Sequence, residues 1–252
     1  MGAGDELMAA GQARALAMKH PGRKVIIYDR NGRTRDNEMW RGNPYIYTRA
    51  DRPYLPLTLT NGPGCRPYIL AKTPERWVWK DFEPFPADLF FDEAELAAAQ
   101  GPLPGIIVEP NSKAKASPNK NWGVERWQAL VDLLLAAGHR VTQIGPADTR
   151  LLRGVHHHRT ETFRAGCAVL ARARAAVLPE GGLHHAAAAL GIRAVVIFGG
   201  YISPRQTGYA SQTSLFTGGE PCGARMPCPH CAEAMARITP QAVFAALEEK
   251  LR

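Results

Sequence analysis

The stretch Ala175-Ala176-Val177-Leu178-Pro179-Glu180-Gly181-Gly182-Leu183-His184-His185-Ala186-Ala187-Ala188-Ala189-Leu190-Gly191, with Arg193-Ala194-Val195-Val196-Ile197-Phe198-Gly199 after it, decides the fold. Ala175–Leu178 is a strand-sized apolar run. Gly181-Gly182 makes a tight turn. His184–Leu190 reads as a small-residue helix stopped by Gly191, and Arg193–Phe198 as the next strand, closed by Gly199-Gly200.

The same alternation runs outward from there. Gly105–Glu109 reads as a buried strand after the break Gly101-Pro102-Leu103-Pro104-Gly105. Val124–Ala137 carries apolar residues at helical spacing (Val124, Trp127, Leu130, Val131, Leu134, Leu135) and stops at Gly138. Val141–Ile144 is a strand, Thr162–Ala173 a helix, and Thr239–Leu251 a terminal helix with Thr239 as cap and Pro240 in its first turn. Alternating strands and helices with Gly-punctuated turns predict an α/β fold, an open parallel sheet with helices on both faces. Ligands in such folds sit beyond the carboxyl ends of the strands.

The first half is looser. Glu6–His20 reads as a helix and Lys24–Asp29 as a strand, residues 31–66 as irregular, and Pro67–Ala71 and Ala87–Phe91 as short strands. Glu93–Gln100 is a helix or hinge, so the expected division is residues 1–100 and 105–252. A doubly wound lobe usually opens with a strand before its Gly-rich turn. Here that turn stands at residue 2, so either the first strand is absent or the true start lies upstream.

Composition bounds the function. The 252 residues are 45% hydrophobic and 21% charged, which excludes a disordered or fibrous chain. No apolar run approaches the roughly 20 residues of a membrane helix. The N-terminus lacks a signal peptide's basic and apolar segments, and five Cys are an odd, sparse set for a secreted chain. These features place the protein in the cytoplasm. The net charge of +8 favours anionic ligands. It is scattered rather than gathered in an aromatic-interleaved run, which argues against nucleic acid.

Four constellations carry chemistry. Gly2-Ala3-Gly4-Asp5 opens a helix, where small residues admit a substrate and Asp5 reads as a general base or an N-cap. The loop from Asn111 to Trp122, with Ser112, Lys113 and Lys120, suits phosphate oxygens at the end of a strand, or is a solvated basic loop. Glu180-Gly181-Gly182 with His184 and His185 makes a helix N-terminus fit for a diphosphate, with Glu180 able to accept a sugar hydroxyl. The two histidines are expected to point apart and not to share a metal. Cys222, Cys228 and Cys231, with His230 or Cys65 as fourth donor, read as a structural zinc or iron site, as packed free thiols, or as a redox pair. His156-His157-His158 reads as an exposed loop.

In this order the motifs resemble glycosyltransferase family 9, the heptosyltransferase-like group with a GT-B fold. The similarity rests on Gly4-Asp5-Glu6-Leu7, on Lys120-Asn121-Trp122 with Trp127, on the turn Glu180–His185, and on a Cys-containing tail. It implies two Rossmann-type lobes with parallel sheets, the N-terminal one reduced to an acceptor side and the C-terminal one binding a nucleotide sugar. The implied activity is inverting transfer of a sugar, heptose-like or other, from a nucleotide diphosphate sugar to a hydroxyl of a glycan or lipid-linked acceptor. A peripheral inner-membrane contact would go with such an acceptor. By position, Asp5 matches the base, Lys120 the phosphate-neutralising lysine, Glu180 an Asp that contacts the donor, and Gly182 and His185 the turn. The resemblance implies no catalytic cofactor, so a metal at the Cys cluster would be structural. The chain departs from the pattern at Glu180-Gly181, where Asp-Thr is usual, and at Gly123, where Pro is usual. A non-catalytic nucleotide- or glycan-binding protein and a metal-stapled nucleic-acid-associated protein are the alternative readings.

Overall fold

The computed structural model describes residues 2–29, 31–47, 54–58, 66–110 and 117–252. The chain opens with α1 (Ala3–Lys19), which buries Leu7, Met8, Ala9, Ala10 and Ala13. β1 (Lys24–Tyr28) and β2 (Tyr54–Thr58) form a parallel pair. β3 (Ile69–Lys72) and β4 (Trp77–Trp79) form an antiparallel hairpin, and α2 (Glu93–Ala98) precedes the Pro/Gly-rich break.

The second half is a doubly wound sheet. β5 (Ile106–Val108), α3 (Val124–Ala136), β6 (Val141–Gly145), β7 (His156–Arg159) and α4 (Phe163–Leu170) come first. β8 (Ala175–Pro179), α5 (Gly182–Ala189), β9 (Ala194–Gly199), α6 (Pro204–Thr207), β10 (Thr213–Phe216), α7 (Pro229–Arg237) and α8 (Pro240–Leu251) follow. The six strands lie in the order β10-β9-β8-β5-β6-β7, every neighbouring pair parallel. Chain order reverses between β5 and β8, so the topological switch point lies where their carboxyl ends face the cleft. The turns that leave those two ends carry Lys120 and Glu180-Gly181-Gly182.

Both sheet faces are covered, which explains the near-continuous apolar strands. Trp122, Trp127, Leu130, Val131 and Leu134 pack on one face with Val243 and Leu247 of α8. The other core is continuous from Leu7, Val25 and Trp40 of the first half to Val169, Ala186 and Phe198 of the second. Among the described residues, no helix is long and apolar enough to cross a membrane.

Several sequence expectations are corrected. Ala87–Phe91 is not a strand: it runs irregularly, with arginines on the carbonyls of the stretch, Arg14 donating to Pro86 just before it and Arg164 to Phe90. His156-His157-His158 is not a loop but the edge strand β7, whose exposed polar residues hide the pattern of a buried strand. β2 lies within the stretch expected to be irregular. Its Pro56 is tolerated because β2 is an edge strand.

Arg164, on α4, is only 3% exposed. Its guanidinium grips the Glu95 carboxylate twice, at 2.5 and 2.8 Å, and donates to the Glu38 carbonyl at 2.8 Å. Hydrogen bonding from Arg164 outweighs desolvation and holds the Glu95 carboxyl down at about 2. One side chain thus ties residues 38, 90 and 95 to the six-stranded sheet. Arg164→Ala should cost about 3 kcal/mol, read as a lower urea midpoint at unchanged slope. An unmoved midpoint would show that this strut carries no stability.

Candidate active site

Two helix N-termini meet at the switch point. A Cβ on Gly4 would lie 2.8 Å from His185 Cδ2 and 3.2 Å from Gly182 Cα. A Cβ on Gly182 would strike the Phe163 ring at 2.9 Å. Only glycines allow α1 and α5 this approach. The first-turn N–H groups of a helix lack intrahelical acceptors, so each end carries partial positive charge.

Asp5 sits in the first turn of α1 at the edge of this junction, its side chain 10% exposed. Its Oδ2 accepts from Gly2 N–H at 3.2 Å and from Arg66 Nε at 3.2 Å, and its Oδ1 accepts from the Tyr68 hydroxyl at 3.2 Å. Burial, reinforced by Asp5, pushes the Tyr68 phenol well up, so it stays protonated and donates. The carboxylate is therefore both part of the helix start and oriented from two sides. Sequence reading missed Arg66 and Tyr68, which stand about sixty positions away and carry only the alternation of a short strand as a local signal.

Lys120 ends a single 3₁₀ turn, Pro118–Lys120, capped by Ser117. Its ammonium meets Glu180 Oε2 and lies 5.3 Å from the centre of the Tyr201 ring. Glu180 Oε1 accepts from Thr207 Oγ1 at 3.1 Å. Burial alone would raise Glu180, but the charge of Lys120 and the hydrogen bonds from Lys120 and Thr207 overcome it and hold the carboxyl below its usual range. The polar contacts of Glu180 are thus with protein groups, Lys120 above all.

The histidines do not point apart. Their ring centres are 3.9 Å from one another. His184 Nδ1 accepts from Gly181 N–H at 2.9 Å and its Nε2 donates to the Thr207 carbonyl at 2.9 Å, so it has no lone pair left for a metal. His185 Nδ1 bonds the Tyr209 hydroxyl at 2.8 Å. Burial keeps both imidazoles below their ordinary pKa, His185 strongly.

Asp5, Arg66, Tyr68, Lys120, Glu180, Gly181, Gly182 and His185 line one cleft of about 600 Å³, with Trp77, Trp79 and Tyr201 as an aromatic wall. Ser112 and Lys113, expected to join Lys120, lie outside the described residues, as does Cys65. Gly123 has φ +96°, which the proline usual at that place cannot adopt.

The Cys cluster forms beside this wall. Cys222 Sγ is 3.1 Å from Cys231 Sγ and 3.9 Å from Cys228 Sγ. With a ring nitrogen of His230, the ligand atoms all lie within 4.8 Å of one another. His230 Nε2 donates to the Gly218 carbonyl at 2.7 Å, which leaves the buried Nδ1 as an unprotonated acceptor without a partner. That is the tautomer a metal ligand needs, with the carbonyl fixing the ring. Backbone N–H groups of Cys231 and His230 draw the Cys228 thiol down, while burial and neighbouring sulfurs push Cys231 up. Three sulfurs and one imidazole nitrogen fit a tetrahedral zinc or iron ion.

A six-stranded parallel sheet in this order, with a cleft at its switch point, belongs to a GT-B-like fold. Residues 80–233 match the sequence model of glycosyltransferase family 9 (heptosyltransferase), and the chain belongs to that family. The fold is similar to ADP-heptose LPS heptosyltransferase II of E. coli (16% identity, 99% of this chain and 96% of that one, TM-score 0.62). It is also similar to a family 9 glycosyltransferase of Veillonella parvula (12%, 100% and 94%, TM-score 0.65). A third likeness is to the iron-containing dodecameric glycosyltransferase TibC of enterotoxigenic E. coli (17%, 99% and 73%, TM-score 0.64). No curated protein matches the chain in sequence.

Proposed function

We propose that this chain is a cytoplasmic glycosyltransferase that moves a sugar, heptose or another, from a nucleoside diphosphate sugar to a hydroxyl of a glycan or lipid-linked acceptor, with inversion. The observation that carries this reading is the shared cleft. It joins an oriented carboxylate, Asp5, to a lysine, Lys120, and to the convergent N-termini of α1 and α5.

In this reading the donor diphosphate lies against the first-turn N–H groups of Gly182 and Leu183, with the Lys120 ammonium on its oxygens. Glu180 holds Lys120 in place, and His185 packs beneath the turn. The acceptor oxygen bonds to the anomeric carbon as the bond to the diphosphate oxygen breaks on the opposite face. Its proton passes to Asp5, and the leaving pair of electrons stays on the diphosphate. Charge grows there, where the lysine and the helix N-termini already point. Arg66 and Tyr68 keep Asp5 aimed. Family membership supports this chemistry, and the likeness to an ADP-heptose enzyme makes an ADP-activated sugar the first donor to try.

A zinc or iron ion held by Cys222, Cys228, Cys231 and His230 would act as a structural cross-link and take no part in the transfer. Leu70 and Met226 are 65% and 72% exposed on elements that also carry Lys72, Arg76 and Arg225. That combination supports a peripheral contact with an anionic inner-membrane surface.

A thermal-shift panel of nucleoside diphosphates and their sugars tests the reading. The cognate nucleotide at about a hundred times its Kd should stabilise the fold by roughly 2.7 kcal/mol. Binding without transfer or donor hydrolysis would make the chain a binding module. No response to any nucleotide would overturn the proposal.

A further inference from the structure

Asn119, immediately before Lys120, is 5% exposed. Its Nδ2 donates to the carbonyls of Ala224 and Met226, both at 2.8 Å, and its Oδ1 accepts from Cys228 N–H at 3.0 Å. Every one of these bonds goes to the loop that carries the Cys cluster. The same loop holds the opposite side of the cleft. Trp77 N–H donates to the Gly223 carbonyl at 2.9 Å and Arg225 N–H to the Glu75 carbonyl at 2.9 Å. A Cβ on Gly223 would fall 2.1 Å from the Trp77 carbonyl oxygen, so this contact is backbone against backbone. The Cys loop is therefore clamped between the turn that presents Lys120 and the strand that presents Trp77 and Trp79.

We propose that Asn119 is a positioning residue that couples metal occupancy of the Cys222–Cys231 cluster to diphosphate binding at Lys120. A loop released from its metal gains backbone freedom. Through Asn119 that freedom reaches the turn ending at Lys120. A metal that never touches the substrate thus sets how well the lysine is held. Because coupling between two sites is reciprocal, diphosphate should in turn tighten the hold on the metal. The inference rests on the reading of Lys120 as a diphosphate ligand.

The test uses the full chain, purified without added metal and assayed for zinc and iron, then compared as isolated and after chelation. ADP is the titrant in calorimetry, and hydrogen exchange of the amides of Ser117 and of residues 119–122 is followed in parallel. Stripping should weaken ADP binding to the wild type about tenfold and speed exchange of those amides. Asn119→Ala should keep its metal, bind ADP about tenfold more weakly, and show little further loss on stripping. Asn119→Asp keeps the acceptor for Cys228 N–H but loses both donors. It should show the same uncoupling if Asn119→Ala folds poorly.

Binding of ADP to a folded Asn119 variant as tightly as to wild type would overturn the proposal. So would an equal effect of stripping on variant and wild type, or wild-type protein that carries neither zinc nor iron. If loaded wild type bound no nucleoside diphosphate, the donor reading would fail instead. Exchange would then still decide the clasp: acceleration confined to wild type supports it, and equal acceleration in the variant overturns it.

Discussion

Asp5→Asn should lower kcat by a factor of about 10²–10⁴ while leaving nucleoside diphosphate binding intact. The substitution keeps the shape of the side chain and an acceptor for Tyr68, at the cost of the acceptor for Gly2 N–H. What it removes is the capacity to take a proton from the acceptor hydroxyl and the charge that pairs with Arg66. A freed Arg66 guanidinium adds cationic character to the cleft, so donor affinity should not fall. The measurement is single-turnover transfer with saturating donor, set beside calorimetric titration with the nucleoside diphosphate. An Asp5→Asn enzyme that transfers sugar at the wild-type rate would remove the assigned base.

Lys120→Met should cost about 10²–10³ in kcat/KM, the range for losing one donor aimed at a developing anion, and should also weaken binding of the free diphosphate. It has a second consequence that separates it from other cleft variants. Glu180, its side chain 5% exposed, loses the cation that offsets its burial. In the wild type the carboxyl lies below its ordinary 4.5, so its favourable contribution is present at neutral pH and lost as pH falls below that value. Without Lys120, desolvation prevails and the carboxyl rises above 4.5. The penalty is then absent in acid and grows as pH climbs through the raised value.

The stability deficit of Lys120→Met relative to wild type should therefore be larger at pH 8 than at pH 5, reaching about 3 kcal/mol. Adding Glu180→Gln should restore most of that stability, but not diphosphate binding or transfer. Urea midpoints at the two pH values, with calorimetry on the double variant, settle the matter. Tight diphosphate binding by the double variant would mean that Lys120 serves only to neutralise Glu180.

Much of the second half was legible because its strands are buried on both faces and end at glycines. Runs such as Ala175–Leu178 and Arg193–Phe198 announce themselves without periodicity. β7 was not legible, since an edge strand reading His-His-His-Arg carries no burial signal, nor was β2, where Pro56 disguises an edge strand. Asp5, Lys120 and Gly182 could be singled out because each stands at or just before the start of a recognisable helix, and one cleft gathers all three. Arg66 and Tyr68 escaped because what recruits them is a contact across sixty residues of chain. Arg164 escaped for a related reason: an arginine on an amphipathic helix looks solvated until Glu95 and two carbonyls arrive from elsewhere. The expected hydroxyl contact of Glu180 could not have been weighed without seeing Lys120 and Thr207 already on its oxygens.

The backbone-to-backbone meeting of Gly4 with Gly182 has a consequence for rates. The two dipolar ends are held close by backbone and by the packed rings of His185 and Phe163, so their field across the gap is fixed by the fold. In the proposed transfer, charge developing there would meet dipoles already oriented by the fold, and little of the reorganisation that water demands would enter the barrier.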